Sequence, residues 1–197
     1  MKVLILWSGG VESTSLLKQY LCDTQDEIFA HYILMDNPEK ARIPLELAAI
    51  EILLPMLQRI RHFEYSTSRL SICNGKAFPN DIHVHAFIGV QAMYHKGCTQ
   101  LLRAQCLEDD IIKTTVDGVH TVLDTYNGFE TKQAKLKPFL KGSDTPESVY
   151  PIHPSYAWPK KQHIEYLGDL FQYTHSCRRP VNGKECGKCH SCIERNG

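Results

Sequence analysis

Residues 1–15 read MKVLILWSGGVESTS, and their order of apolar run, paired glycines and hydroxyl-rich turn decides the fold class. Val3 to Trp7 is apolar and β-prone, the pattern of a buried strand, and Ser8-Gly9-Gly10 cuts it off. From Glu12 onward, Leu16, Leu17 and Leu21 fall at helical spacing. A strand, a tight glycine turn and a helix open an α/β protein. Such a turn presents backbone N–H groups at the positive end of a helix dipole, a geometry that holds phosphate without any particular side chain. The plain alternative is a strand-to-helix turn capped by serine. The stretch matches neither G-x-x-x-x-G-K-[ST] nor G-x-G-x-x-G, so neither γ-phosphoryl transfer nor dinucleotide binding is supported.

Beyond the turn, strand and helix keep alternating. Residues 27–35 (EIFAHYILM) predict a second strand, with Asp36-Asn37-Pro38 as turn chemistry. Pro44 suits a helix start, and Pro55 is expected to kink or end that helix. Residues 60–66 (IRHFEYS) alternate as a third strand would. Pro79-Asn80-Asp81 offers a cap, and Ile82, Ala86, Val90 and Met93 then step at helical spacing with Phe87 and Tyr94 beside them. Gly97 ends that helix, and residues 99–107 read as a fourth strand. This alternation predicts a doubly wound parallel sheet of Rossmann-like type. Residues 108–150 are polar and weakly patterned, placed to cover the carboxyl edge of the sheet where ligands bind in this class. Residues 160–171 predict an amphipathic helix leading into a cysteine-rich tail.

The chain of 197 residues suits one domain with a sizeable core. Lys plus Arg and Asp plus Glu number 22 each, so no overall basic field points to a nucleic-acid partner. No apolar run approaches the roughly 18 residues of a membrane span. The run Val3 to Trp7 is too short for a signal-peptide core, so a cytoplasmic location is expected. Disulfides rarely persist there, yet the chain holds eight cysteines. Cys22, Cys73, Cys98 and Cys106 are scattered and read as small buried hydrophobes.

Cys177, Cys186, Cys189 and Cys192 form Cys-x8-Cys-x2-Cys-x2-Cys. Two Cys-x-x-Cys steps bring thiolates to one point, and four thiolates close a tetrahedral zinc site with no open position. A disulfide pair, a redox motif and an iron–sulfur cluster are the rival readings. With four thiols available, His175 and His190 are not needed as ligands. The organisation expected is therefore residues 1–174 as the α/β domain, with residues 175–197 as a metal-binding tail packed on it.

Ser8-Gly9-Gly10-Val11-Glu12-Ser13 closely resembles the SGGxDS signature of the PP-loop ATP pyrophosphatases, with Glu12 where that group has aspartate. The tail SCRRPVNGKECGKCHSCIERNG is very similar to that of the 7-cyano-7-deazaguanine synthase (QueC) family, and Arg195 stands at the arginine that follows its cysteines. Trp158-Pro159-Lys160-Lys161 resembles the family's segment before its last helix, with Lys161 matching its lysine. Pro79, Tyr94, Gly97 and Asp109 also match. The resemblance covers both ends and the middle of the chain.

The resemblance implies an enzyme that uses ATP and Mg²⁺ to adenylate the carboxylate of 7-carboxy-7-deazaguanine, with ammonia forming an amide and then a nitrile. It implies that Trp7, Ser8, Gly9, Gly10, Val11, Glu12, Ser13 and Thr14 bind ATP, that Lys161 and Glu12 are catalytic, that the four cysteines hold Zn²⁺, and that the protein is a homodimer. Departures gather near the substrate. Asp81-Ile82 stands where the family has Arg-Asn, and residues 104–111 lack its SGYPDCR-like loop. Three alternatives stay open. One is an anti-phage defence enzyme joining a deazaguanine to a partner protein's amine, another is a non-catalytic nucleotide-binding relative, and the last and weakest is a tRNA thiolase. Asp109 and Asp110 read either as Mg²⁺ ligands or as loop caps. His83 and His85, two apart on a helix, make a poor metal pair.

Overall fold

The computed structural model describes residues 1–36, 42–71, 81–104 and 158–196. The expectations for Asn37-Pro38, Cys73, Pro79-Asn80, and residues 105–157 with Cys106, Asp109 and Asp110 lie outside them. In chain order the elements are β1 (Lys2–Leu6), α1 (Val11–Asp23), β2 (Glu27–Asp36), α2 (Ile43–Gln58), β3 (Glu64–Ser71), α3 (Asp81–His95), β4 (Gln100–Arg103), α4 (Lys160–Leu167) and α5 (His190–Asn196). A 3₁₀ segment, Gly168–Tyr173, follows α4 directly, so the single helix expected over 160–171 changes type at Gly168.

The four strands are parallel in the order β3-β2-β1-β4. Sequential strands therefore add outward on one side of β1, and β4 returns to its other side. That reversal is the switch point at which ligands bind in open α/β sheets. Central strands covered on both faces should be apolar throughout rather than alternating. Accordingly, Val3 to Leu6 of β1 and Ile28 to Met35 of β2 are all buried.

Alternate side chains feed two cores. Val3, Ile5, Ala30, Tyr32 and Leu34 pack with Leu16 and Leu17 of α1 and Ile50, Leu53 and Leu57 of α2. Leu4, Leu6, Phe29, Ile33 and Met35 face Val90 and Met93 of α3. Helices cover both faces, as a doubly wound fold requires.

Three local expectations change. Helix α2 runs through Pro55 to Gln58, because its last turn seats Leu57 fully buried in the core. The third strand begins at Glu64, four residues later than the alternation suggested, and reaches Ser71. Residues 60–62 instead form the turn after α2, where the Arg61 guanidinium donates to the carbonyls of Tyr20, Thr24 and Asp26. Cys22 is exposed, whereas Cys98 is buried as expected.

Candidate functional site

The glycine turn lies at the carboxyl end of β1, beside the switch point. Trp7 and Thr14 are fully buried, and the indole Nε1–H donates to Thr14 Oγ1 at 3.0 Å. That bond ties the end of β1 to the first turn of α1. Gly9 has φ of +72°, and a Cβ there would meet Ile50 Cγ1 at 3.1 Å, Ala49 Cβ at 3.2 Å and the Glu46 carbonyl at 3.2 Å. Left-handed backbone pressed against α2 admits only glycine without strain. Gly10, at the N-cap of the 13-residue α1, has no side chain with which to cap it, and Ser176 Oγ of the tail lies 3.5 Å from the first helical amide, that of Val11. Ser8 and Ser13 meet each other, the Ser8 amide and Ser13 hydroxyl at 3.3 Å. This is the kind of glycine-lined helix start that suits an anion.

Glu12 sits in the first turn of α1. Its Oε1 lies 2.6 Å from Nζ of Lys160, the first residue of α4, and the two side chains are only 18% and 5% exposed. Burial alone would raise the Glu12 pKa, but the charge and hydrogen bond of Lys160 outweigh it and hold the carboxyl below its ordinary value. Lys161 is exposed. The reason is helical phase: Lys160, His163 and Leu167 share the buried stripe of α4, and Lys161 is off it. His163 Nδ1 meets Ser15 Oγ at 3.0 Å, and Lys18 Nζ donates to the carbonyls of Tyr166 and Leu167, clamping α4 along α1. Sequence matching therefore singled out Lys161, while the lysine brought to the turn is its neighbour. The 160/163/167 spacing was the available signal.

The tail reaches the same turn. The His175 amide donates to the Gly9 carbonyl at 2.9 Å. The Val11 amide meets Ser176 Oγ at 3.5 Å. Arg195 does not extend into solvent: Nη1 donates to Thr174 O and Oγ1 at 2.8 and 2.9 Å, and its guanidinium stacks on Phe171. His175 meets Glu185 and His190 meets Glu194.

The four cysteine sulfurs all lie within 4.8 Å of one another, with Cys189–Cys192 at 3.5 Å and Cys186–Cys192 and Cys177–Cys189 at 4.0 Å. Metal–sulfur bonds of about 2.3 Å in a tetrahedron put the sulfurs about 3.8 Å apart, so the set fits one four-coordinate ion. A four-iron cluster, with one thiolate on each corner iron, spreads its thiolates further than that. Amides of Lys188 and Cys189 donate to Cys186 Sγ at 3.4 and 3.2 Å and lower its pKa to about 6. Gly187, at φ of +66°, makes that turn. The eight residues between Cys177 and Cys186 fold as a hairpin, with Val181 bridged to Lys184 across Asn182-Gly183, both at positive φ. His175 and His190 are not part of the cluster.

No protein-family model matches the chain. Two curated 7-cyano-7-deazaguanine synthases, from two strains of Leptospira biflexa serovar Patoc, are each 42% identical to it over 67 residues, or 32% of this chain. The match spans about a quarter of those relatives' length, 27%. Among solved structures, the U34-tRNA thiolase NcsA from Methanococcus maripaludis, described with its 4Fe-4S cluster, is similar over all of this chain and 62% of its own, with a TM-score of 0.56 at 15% identity. That second likeness carries the fold alone. No described helix is long and apolar enough to cross a membrane. The chain is thus similar to 7-cyano-7-deazaguanine synthases over about a third of its length, and its parallel α/β core shares the fold of the thiolase.

Proposed function

We propose that this chain is an ATP-dependent carbon–nitrogen ligase that adenylates the carboxylate of 7-carboxy-7-deazaguanine or a close analogue. The observation that carries the reading is the glycine-lined start of α1 behind Gly9-Gly10, set at the sheet's switch point. A carboxylate is a poor electrophile until its oxygen becomes part of a good leaving group, and adenylation does that with release of pyrophosphate. Such an enzyme works by positioning two reactants and neutralising phosphate charge.

In this reading Trp7 to Thr14 form the ATP site, with backbone amides and the Ser8 and Ser13 hydroxyls toward the phosphates and the Thr14 hydroxyl held on Trp7 behind them. Glu12, paired with Lys160, is the acid of the turn that would hold Mg²⁺ brought with ATP, an ion that usually takes only one or two protein carboxylates with phosphate oxygens. Lys161, exposed at the start of α4, is free to swing toward developing phosphate charge. The four cysteines hold zinc, which with four thiolates supplies no reaction chemistry and acts as a clasp. The acceptor is ammonia, and the active form is a cytoplasmic homodimer.

The test is incubation of the protein with ATP, Mg²⁺ and 7-carboxy-7-deazaguanine, with and without ammonia, followed by mass spectrometry. Pyrophosphate with amide or nitrile supports the proposal. Mass added to a protein amine would move the acceptor to a partner protein. No ATP consumption in any arm would overturn the ligase reading.

A further inference from the structure

We propose that Lys160 is a positioning residue through which the metal-loaded cysteine tail sets the shape of the phosphate turn. The inference rests on reading the four cysteines as a metal site, and nothing in it requires the identity of the acceptor.

Two connections run from the cysteines to residues 9–12. The first is main-chain: Cys177, a member of the cluster, directly follows His175 and Ser176, which bond to Gly9 and Val11. The His175 ring bends back to the Cys177 carbonyl at 3.2 Å, and a Cβ on Gly10 would meet the His175 carbonyl at 3.4 Å. The second is ionic. Lys160 Nζ lies 2.6 Å from Glu12 and 3.6 Å from Glu194, and Glu194 follows Cys192 by two residues on α5. Helix α5 has seven residues, too short to be stable alone, so its place depends on what holds its first turn. Cys192 lies in that turn. Metal binding therefore fixes α5, α5 presents Glu194, and Lys160 is held between two acids with one of them inside the phosphate turn.

Breaking one partner of a buried pair leaves the other charge uncompensated, and the element carrying it shifts to find water. With the shorter aspartate in its place, the carboxylate of residue 12 would fall short of Lys160 by about one bond length. The added methylene of Glu12 is what closes the link.

The test is amide hydrogen exchange of the peptide spanning residues 8–14, with metal content measured on the same samples. In metal-loaded wild type this peptide is protected. Lys160→Met, still carrying its metal, is expected to exchange there about tenfold faster, the signature of local opening, while β2 stays protected. Lys160→Arg, which keeps the cation, restores protection. Removal of the metal from wild type gives the same gain at residues 8–14 as Lys160→Met. If Lys160→Met fails to accumulate as folded protein, Glu194→Gln replaces it with the same expectation. Unchanged exchange at residues 8–14 in the metal-loaded variant overturns the proposal. Wild type that binds no metal would sink the metal reading instead, and the Lys160→Met arm would still decide the ionic link.

Discussion

Trp7 donates its indole N–H to Thr14 Oγ1 at 3.0 Å inside the core, so the last residue before the phosphate turn and the first turn of the helix behind it are one unit. Thr14→Val keeps the shape and removes the acceptor. An unpaired buried donor costs about 1–3 kcal/mol. Urea unfolding should show that loss in midpoint with little change in slope, and a variant as stable as wild type would mean the bond contributes nothing. With Trp158→Phe in the background, Trp7 is the sole tryptophan. Its emission should then respond to ATP.

Gly9→Ala places a Cβ in left-handed backbone against α2. Strain of this kind costs about 1–3 kcal/mol. Gly10, at φ of −76°, has more room, with the nearest atom to an added Cβ at 3.3 Å. Gly9→Ala should therefore lower the melting temperature more than Gly10→Ala. It should also weaken ATP binding measured by titration calorimetry. The reverse order would contradict the assignment of strain to Gly9.

Buried His31 lies between Ser66 and Ser68, at 2.9 and 3.0 Å. Burial first, and the charge of Lys96 second, hold its pKa below the ordinary 6.5. The folded protein thus keeps His31 neutral where the unfolded chain takes up a proton. Its stabilising effect is complete above pH 6.5 and declines as pH falls from there toward the lowered value. His31→Gln should flatten the stability–pH curve in that window. The Glu12 contribution behaves separately: it is present above pH 4.5 and lost as pH falls through the lowered Glu12 value. Denaturant midpoints across the two windows separate the groups.

Purified protein should carry about one zinc ion per chain and no inorganic sulfide, as a single tetrahedral thiolate site requires. Elemental analysis checks this directly. Cys192→Ser should abolish that metal and expose residues 175–196 to proteolysis, because in such small modules the metal's binding energy is the folding energy. Retained zinc with intact protection would show that the tail folds without it.

Much of this architecture was legible because local periodicity has local causes. The apolar run Val3 to Trp7, the paired glycines and the leucines at 16, 17 and 21 give strand, turn and helix regardless of what lies elsewhere. The cysteine spacing likewise marks one metal point without reference to the rest of the fold. Less was legible where packing overrides the pattern. Pro55 stays inside α2 because Leu57 beyond it fills the core, and the third strand starts at Glu64 because Arg61 is drawn to the carbonyls ending α1.

By itself, then, the sequence determined the α/β class, the glycine turn and the four-thiol cluster, each written within a few residues or one repeating step. The tertiary structure alone decided that the segment leading into the cluster touches the turn. Gly9 and His175, or Glu12 and Lys160, are far apart in sequence, and nothing local to either encodes their approach. It follows from α4 lying along α1 and from helical phase, which turns Lys160 inward and leaves Lys161 in water.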